Sequence, residues 1–339
     1  MSTPQLSIEA HLAHQCEEAE ALHIWRQGQV CAQIYPGQEI VFRPVPNGGI
    51  VIRTLSTLTG KLNRAVGCGK DGDLDKDTLR ELESVFAVIG LAPEIHVSPF
   101  ASPTTLESLV AHGFEETGVL STYWCPLENW ATATTSTRTS SMTMSSTGPI
   151  ETRLIAAQEI EGFIGASITG FQSNGRPREL LGELARIAAR RMDTQLFIAL
   201  VDNKIAGSAA LASIETSDGG VAHLYLDSTL PAYRGQGVQQ ALIQARLREA
   251  QSRGLALATT ITRVGDGSAR NAERAGLRIA YTTSIFTRPG LREVDNILVQ
   301  EIWVVPCRKK NGTRRSRENA QVVDLPVYGA GGSSACTVL

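Results

Sequence analysis

Between Val221 and Gly254 the hydrophobic period of the chain changes once. A short apolar run, Val221 to Leu226, contains the strand formers Val221 and Tyr225 and then turns through Asp227, Ser228 and Pro231. After Arg234-Gly235-Gln236-Gly237 the period becomes helical. Val238, Leu242 and Ala245 form one apolar stripe and Ile243, Leu247 and Ala250 a second, leaving Arg246, Arg248, Glu249 and Arg253 for the polar side. The two glycines therefore sit where a strand hands over to a helix.

The rest of the pattern divides at Trp130. Ile8 to Trp25 reads as an amphipathic helix with Leu12, Cys16, Ala19 and Leu22 on one face. Strands Glu39 to Val45 and Ile50 to Thr54 flank the hairpin signal Pro46-Asn47-Gly48-Gly49, and a helix follows from Asp75 to Gly90. Glu94 to Val97 reads as a strand, Thr105 to His112 as a helix and Phe114 to Leu127 as a strand, a complete αβ domain over residues 1–130. Residues 131–149 are almost all small and polar and cannot bury a core, so they read as a flexible linker long enough for the halves to fold separately. A second domain, 150–305, opens with the strand Glu151 to Ala156 and helices from Gln158 and from Arg178 to Arg190. Strands Leu196 to Asp202 and Ile205 to Ile214 meet at Asn203-Lys204 and lead into Val221 to Leu226. Beyond the long helix lie strands Ala256 to Thr262, Arg278 to Thr287 and Ile297 to Val305, with a short helix from Ser268. Residues 306–339 read as a disordered basic tail.

Composition narrows the classes. A net charge of -2 provides no basic field for nucleic acid, and no run of 18 apolar residues exists to span a membrane as a helix. The acidic first segment lacks a secretory pattern and predicts a cytoplasmic chain. Cys16, Cys31, Cys68, Cys125, Cys307 and Cys336 form no C-x-x-C pair and read as free thiols, with no metal site. His11 and His14 lack a carboxylate or cysteine partner in sequence. The glycine cluster Val66 to Gly72 follows no clear strand and is spaced unlike a Walker loop, while Asp71, Asp73, Asp75 and Asp77 fit a solvated loop and helix cap better than a calcium loop.

The chemistry concentrates at the glycine handover. The first turn of a helix leaves backbone N–H groups unpaired and carries the positive end of the helix dipole. Gly235 and Gly237 admit an anion close to the backbone, and Arg234 adds a charge beside it; the plainer reading is a glycine-rich turn that binds nothing.

The run P-x-Y-R-G-Q-G-V resembles the acyl-CoA pyrophosphate loop of the GNAT superfamily of N-acetyltransferases, with Gln239 where a small residue is usual. Ser268-Ala-Arg-Asn271-Ala-Glu-Arg-Ala-Gly276-Leu resembles the same family's Asn-containing helix, so the resemblance covers residues 153–305. The element order and the ending H-G-F-E-E-T-G-V-L of the first half resemble a degenerate first domain of tandem members. The fold class implied is α/β (α+β), two GNAT-like domains, each a mixed, mostly antiparallel sheet flanked by helices.

That resemblance implies acetyl-CoA as co-substrate, without a metal, held by Leu224, Tyr225 and Leu226 of the central strand, by Arg234, Gly235, Gln236, Gly237, Val238 and Gln239, and by Ser268 and Asn271. Amide groups at a splay in the strand would polarise the thioester carbonyl. An alkylamine of pKa near ~10 must also lose a proton. Candidate bases are Asp227, Glu215 and His223, in that order, with a turn cap, a solvated carboxylate and a packing residue as their respective alternatives. The family's usual tyrosine acid is missing, and Tyr281 is a distant substitute. The reading is an N-acetyltransferase acting on an amine of a small molecule or peptide; the alternative is a catalytically silent CoA-sensing or interaction module. A nucleotide-binding protein is disfavoured by the lack of a strand-G-x-G-x-x-G or Walker motif. The ending Cys336-Thr337-Val338-Leu339 fits a C-a-a-X prenylation signal and, with the basic residues of 308–317, suggests a lipid anchor in a eukaryotic host.

Overall fold

The first helix shows how tertiary packing redraws a boundary set by sequence. In the computed structural model, which describes residues 8–128, 130, 149–172 and 175–289, α1 (Ala10–Ile34) runs on past Trp25. Gln27, Gly28, Val30 and Cys31 are all buried. A Cβ on Gly28 would lie 2.6 Å from the Cβ of Phe42, so the glycine that weakens the helix locally also lets it pack against the next strand.

Strands β1 (Val41–Pro44) and β2 (Ile50–Arg53) form the expected antiparallel hairpin, with Asn47, Gly48 and Gly49 at positive φ. β3 (Arg64–Cys68) corrects the sequence reading. The stretch read as a glycine cluster without a clear strand is a fully buried strand, antiparallel to β2 and parallel to β4 (Glu94–Val97). Its period is hidden because both faces are covered. α2 (Lys76–Ala87) starts at Asp75, whose side chain accepts from the Thr78 N–H at 2.8 Å, so this member of the acidic run is a helix cap. α3 (Pro103–Ala111) and β5 (Glu115–Pro126) complete the first half.

The second half comprises β6 (Glu151–Leu154), α4 (Ile160–Gln172), α5 (Arg178–Arg190), β7 (Thr194–Val201), β8 (Lys204–Thr216) and β9 (Gly219–Thr229). It continues with α6 (Val238–Ser252), β10 (Leu257–Arg263), α7 (Gly267–Arg274) and β11 (Arg278–Thr287). The expected α/β class with a mixed, mostly antiparallel sheet flanked by helices is what the structure shows.

Among the described residues, eleven strands form one sheet, ordered β1-β2-β3-β4-β11-β5-β10-β9-β8-β7-β6. β11, from the second half, lies between β4 and β5 of the first, and β5 pairs on its other side with β10. Phe286 of β11 packs into the first-half core with Phe86 and Phe114. Across the join, Tyr123 donates to Glu273 at 2.9 Å and the Trp130 indole N–H to the Ala275 carbonyl at 3.0 Å. No helix of the described residues is long and apolar enough to cross a membrane. The expected strand Ile297 to Val305, the basic tail, Cys307 and Cys336 lie outside the described residues.

Because β5 has second-half strands on both edges, neither half closes its own sheet. Thermal unfolding followed by far-UV circular dichroism and by tryptophan fluorescence should give one coincident transition; two well-separated transitions would show that the halves fold independently.

Candidate functional site

The site begins where two parallel strands part. β9 and β10 are in register from Val221↔Leu257 to Leu224↔Thr260, and the Thr260 hydroxyl donates to the Leu224 carbonyl at 3.1 Å. Past this point β10 continues along β5 as far as Arg263↔Leu120, whereas β9 follows β8. On the β8 side Ser208 opposes Ser228 and Ala210 opposes Tyr225, so Leu226 and Asp227 together face Ala209. This is a β-bulge, and it bends β9 away from β10. Leu226 has φ of 54°, and it is the only described residue other than glycine, Asn or Asp with positive φ. A leucine there carries strain of about 1–3 kcal/mol that the surrounding packing must hold. The expected turn at Asp227 is therefore a bulge inside a strand that runs to Thr229.

What holds the bulge is Arg246. Assigned by its spacing to the polar side of α6, it is instead fully buried. Its guanidinium donates to both Asp227 carboxylate oxygens, with Nη1 to Oδ2 at 2.9 Å, and Nη1 also reaches the Ala210 carbonyl at 3.0 Å. Nε donates to the Leu242 carbonyl at 3.1 Å. A buried cation is tolerable only with such partners, so α6, β8 and the bulge of β9 are tied at one point.

At the other end of the cleft, Gly235 and Gly237 have φ of 75° and 89°, and Gly237 opens α6 without a side-chain cap. The first main-chain bond of α6 is from the Ala241 N–H to the Gly237 carbonyl at 2.9 Å, and helix geometry leaves the N–H groups of the first turn without intrahelical partners. Arg234 donates to the Gly170 carbonyl at 2.9 Å, so it fastens the loop to α4 as well as placing a cation beside it. Gln239 accepts from Asn271 at 2.7 Å and donates to Ser268 at 3.3 Å. The structure thus brings the glycine loop, Gln239, Ser268 and Asn271 together at the junction of α6 and α7.

Between these ends lies a cavity of about 510 Å³. Its wall includes Leu224 to Asp227 of β9, Thr260 to Arg263 of β10, and Gln239, Ile243 and Arg246 of α6. The first half adds six ionisable groups to the wall: Glu20, His23, Lys61, Arg64, Glu94 and His96. Sequence reasoning passed over all six as site residues. A signal existed in α1, where Glu17, Glu20, His23 and Gln27 repeat at helical spacing on a buried face, an arrangement ordinary core packing does not favour.

His223 also lines the cavity and is buried, its Nδ1 3.1 Å from the Thr259 hydroxyl. His23 packs against it, with ring centroids 4.4 Å apart, and edge-on against Tyr225 at 4.6 Å. Desolvation, reinforced by Arg191, pushes His223 down to about 3 and His23 well below the ordinary histidine range. Both are neutral in the folded protein at neutral pH. Desolvation, then Arg64 beside it, likewise push Lys61 down to about 7.

The expected acid–base residues separate. Asp227 lies on the cavity wall, with burial pushing its carboxyl up against the opposing pull of Arg246. Glu215 is opposite Gly220 at the far end of the β8–β9 pairing, outside the cavity wall. Tyr281 is buried on β11, also outside that wall, within electrostatic reach of Glu20, Cys16 and Glu17 of α1. The described cysteines, Cys16, Cys31, Cys68 and Cys125, are buried free thiols.

A parted parallel strand pair, a bulged central strand and a glycine loop opening an uncapped helix thus lie around one cleft of an α/β fold. Residues 163–276 match the sequence profile described as the Acetyltransferase (GNAT) family. Among solved structures it is similar to a GCN5-related N-acetyltransferase from Kribbella flavida, with 17% identity and a TM-score of 0.54 over 81% of this chain and 97% of the other. It is also similar to a GCN5-related N-acetyltransferase from Sphaerobacter thermophilus, with 11% identity and a TM-score of 0.46 over 85% of this chain and 96% of the other. The Kribbella likeness shows a shared fold that extends over both halves. A comparison with curated proteins returns no match.

Two predictions follow from the buried charges. Arg246→Met leaves the Asp227 carboxylate buried without its partner and should cost about 3–5 kcal/mol of stability, read from urea unfolding; a loss within ~0.5 kcal/mol would show the pair to be incidental. The histidines give a pH dependence. Their folded pKa values lie below the unfolded value of about 6.5, so the unfolded chain binds more protons as pH falls below ~6.5 and stability declines from there towards pH 3. His223→Gln should flatten that decline between pH 6.5 and 5, and an unchanged slope would mean His223 does not contribute.

Proposed function

We propose that the chain transfers an acetyl group from acetyl-CoA to an amine of a small molecule or peptide within the cavity between β9, β10 and α1. The observation that carries this is the alignment of three features along one cleft: the uncapped start of α6, the parting of β9 and β10 after Leu224, and a polar cavity beyond it. Gly235 to Gln239 would hold the pyrophosphate on main-chain N–H groups, with Arg234 adding charge and Ser268 and Asn271 lining the CoA arm. Main-chain groups of β9 from Tyr225 onward, outside the β10 ladder, would polarise the thioester carbonyl. The amine nitrogen bonds to the carbonyl carbon, the C–S bond breaks with its electron pair leaving on sulfur, and the nitrogen's proton passes to a base.

Asp227, first among the expected bases, has both oxygens taken by Arg246 and suits a positioning role at the bulge. Glu20 suits the base. It lines the cavity, makes no hydrogen bond or ion pair among the described residues, and sits one helical turn before His23, which touches both His223 and Tyr225 of β9. Neither Glu215 nor Tyr281 reaches the cavity wall, and this favours the second reading, a CoA-binding module without turnover, should Glu20 prove dispensable.

Acetyl-CoA at a hundredfold its dissociation constant should raise stability by about 2.7 kcal/mol. Gly237→Asp, which places a carboxylate at the helix N-terminus, should abolish the effect. No stabilisation of the wild type at millimolar acetyl-CoA would overturn both readings. Glu20→Gln should keep that stabilisation and lower kcat about 10²- to 10⁴-fold; unaltered turnover would remove Glu20 as the base.

A further inference from the structure

The cavity holds a buried cation with no hydrogen-bonded or ion-paired partner among the described residues. Arg64, at the start of β3, is 6% exposed, lines the cavity, and has no hydrogen bond or ion pair among the described residues. Its Nε is buried without an acceptor. Burying a guanidinium in this way is costly unless a partner arrives, and Arg246, equally buried in the same molecule, shows what a satisfied arginine looks like here. Lys61 stands close by, within electrostatic reach of Arg64, Glu20 and Glu94, and it too makes no hydrogen bond or ion pair among the described residues. Two further buried polar atoms on the same wall lack partners, Nδ1 of His96 and the hydroxyl of Thr262; His96 gives its other nitrogen to Glu94 at 2.9 Å.

The same cavity holds a carboxylate that makes no hydrogen bond or ion pair among the described residues. Glu20 lines it and does not pair with Arg64 or Lys61, although all three are half-buried or buried. An apolar ligand would leave every one of these groups desolvated and unmet. A simple monoamine would answer Glu20 alone. A molecule with both charges answers the whole set.

We propose that the acceptor is a small amine that carries its own anionic group, a carboxylate or a phosphate, seated with the anion on Arg64 and Lys61 and the amine at Glu20. This rests on the acetyl-transfer reading and adds the substrate class. The fork of a guanidinium matches either anion through two parallel N–H bonds, and Lys61 adds a point charge. Both cations come from the first half of the chain, so that half selects the acceptor, while the second half holds CoA. With the amine at Glu20, the ammonium gives one proton to that carboxylate and the neutral nitrogen bonds to the thioester carbon; the C–S bond breaks with its electron pair on sulfur, and the second N–H proton passes through solvent, which protonates the thiolate to the thiol.

The test uses the full chain with labelled acetyl-CoA and three amine pools: α- and ω-amino acids, aminoalkyl phosphates, and the monoamines of matching carbon number without an acidic group. Acetylated products are identified by mass. The expected result is product from one of the two anionic pools at least tenfold above the monoamine pool, and the pool that reacts tells carboxylate from phosphate. Arg64→Met should raise KM for that substrate about ten- to a hundredfold with acetyl-CoA stabilisation unchanged, and should not lower the melting temperature, since it removes an unpaired buried charge. Should Arg64→Met fail to fold, Lys61→Met provides the same KM test from a loop. The proposal is overturned by equal product from the monoamines, by KM values that neither variant moves, or by no product from any pool when acetyl-CoA binds. In each of these outcomes CoA binding survives, whereas absence of acetyl-CoA stabilisation would remove the acetyl-transfer reading and this inference with it.

Discussion

The ion pair between Arg246 and Asp227 is the constraint on which the site depends. Asp227 belongs to a bulge that includes a leucine at positive φ, a conformation that relaxes unless something fixes both flanks. Arg246 does so from within α6, reaching Asp227 on β9 and the Ala210 carbonyl on β8 with one planar group. Because α6 starts at Gly237, the same contact also sets where the uncapped helix N-terminus lies relative to the parted strands. Loop, bulge and cavity are therefore tied together through one side chain rather than being three separate features.

The two halves are bound to this unit in a way that their sequences conceal. β11 crosses into the first half, β5 is enclosed by second-half strands, and α1 lays its polar stripe over β9. A cavity formed this way draws ionisable lining from both halves, with Glu20, His23, Lys61, Arg64, Glu94 and His96 coming from the first. Two neutral histidines sit beside a half-buried lysine and a buried arginine, and the last two have no hydrogen bond or ion pair among the described residues.

Local pattern was enough to find nearly every element of the second half, and the strands Glu94–Val97 and Arg278–Thr287 fall at their expected limits. The glycine loop was legible because strand, Gly-x-Gly and helix are contiguous in sequence and their chemistry is local. Three features were not. β3 is covered on both faces, so it lacks the alternation that marks a strand. Arg246 occupies a polar position by helical spacing and becomes a core residue only because Asp227 meets it from another element. The cavity gathers Glu20, Lys61, Arg64, Glu94 and His223 from four separate stretches, and no spacing rule connects them. Only the polar stripe on α1 hinted that something besides packing was wanted there.

A crystal structure with acetyl-CoA bound tests the central claim most directly. The account places the pyrophosphate on the N–H groups of Gly235 to Gln239 and the thioester between the diverging ends of β9 and β10, beyond Leu224 and Thr260, with the acetyl group facing the cavity that contains Glu20 and Arg64. Acetyl-CoA bound with its thioester outside the β9–β10 opening, or with its phosphates away from the start of α6, would contradict it.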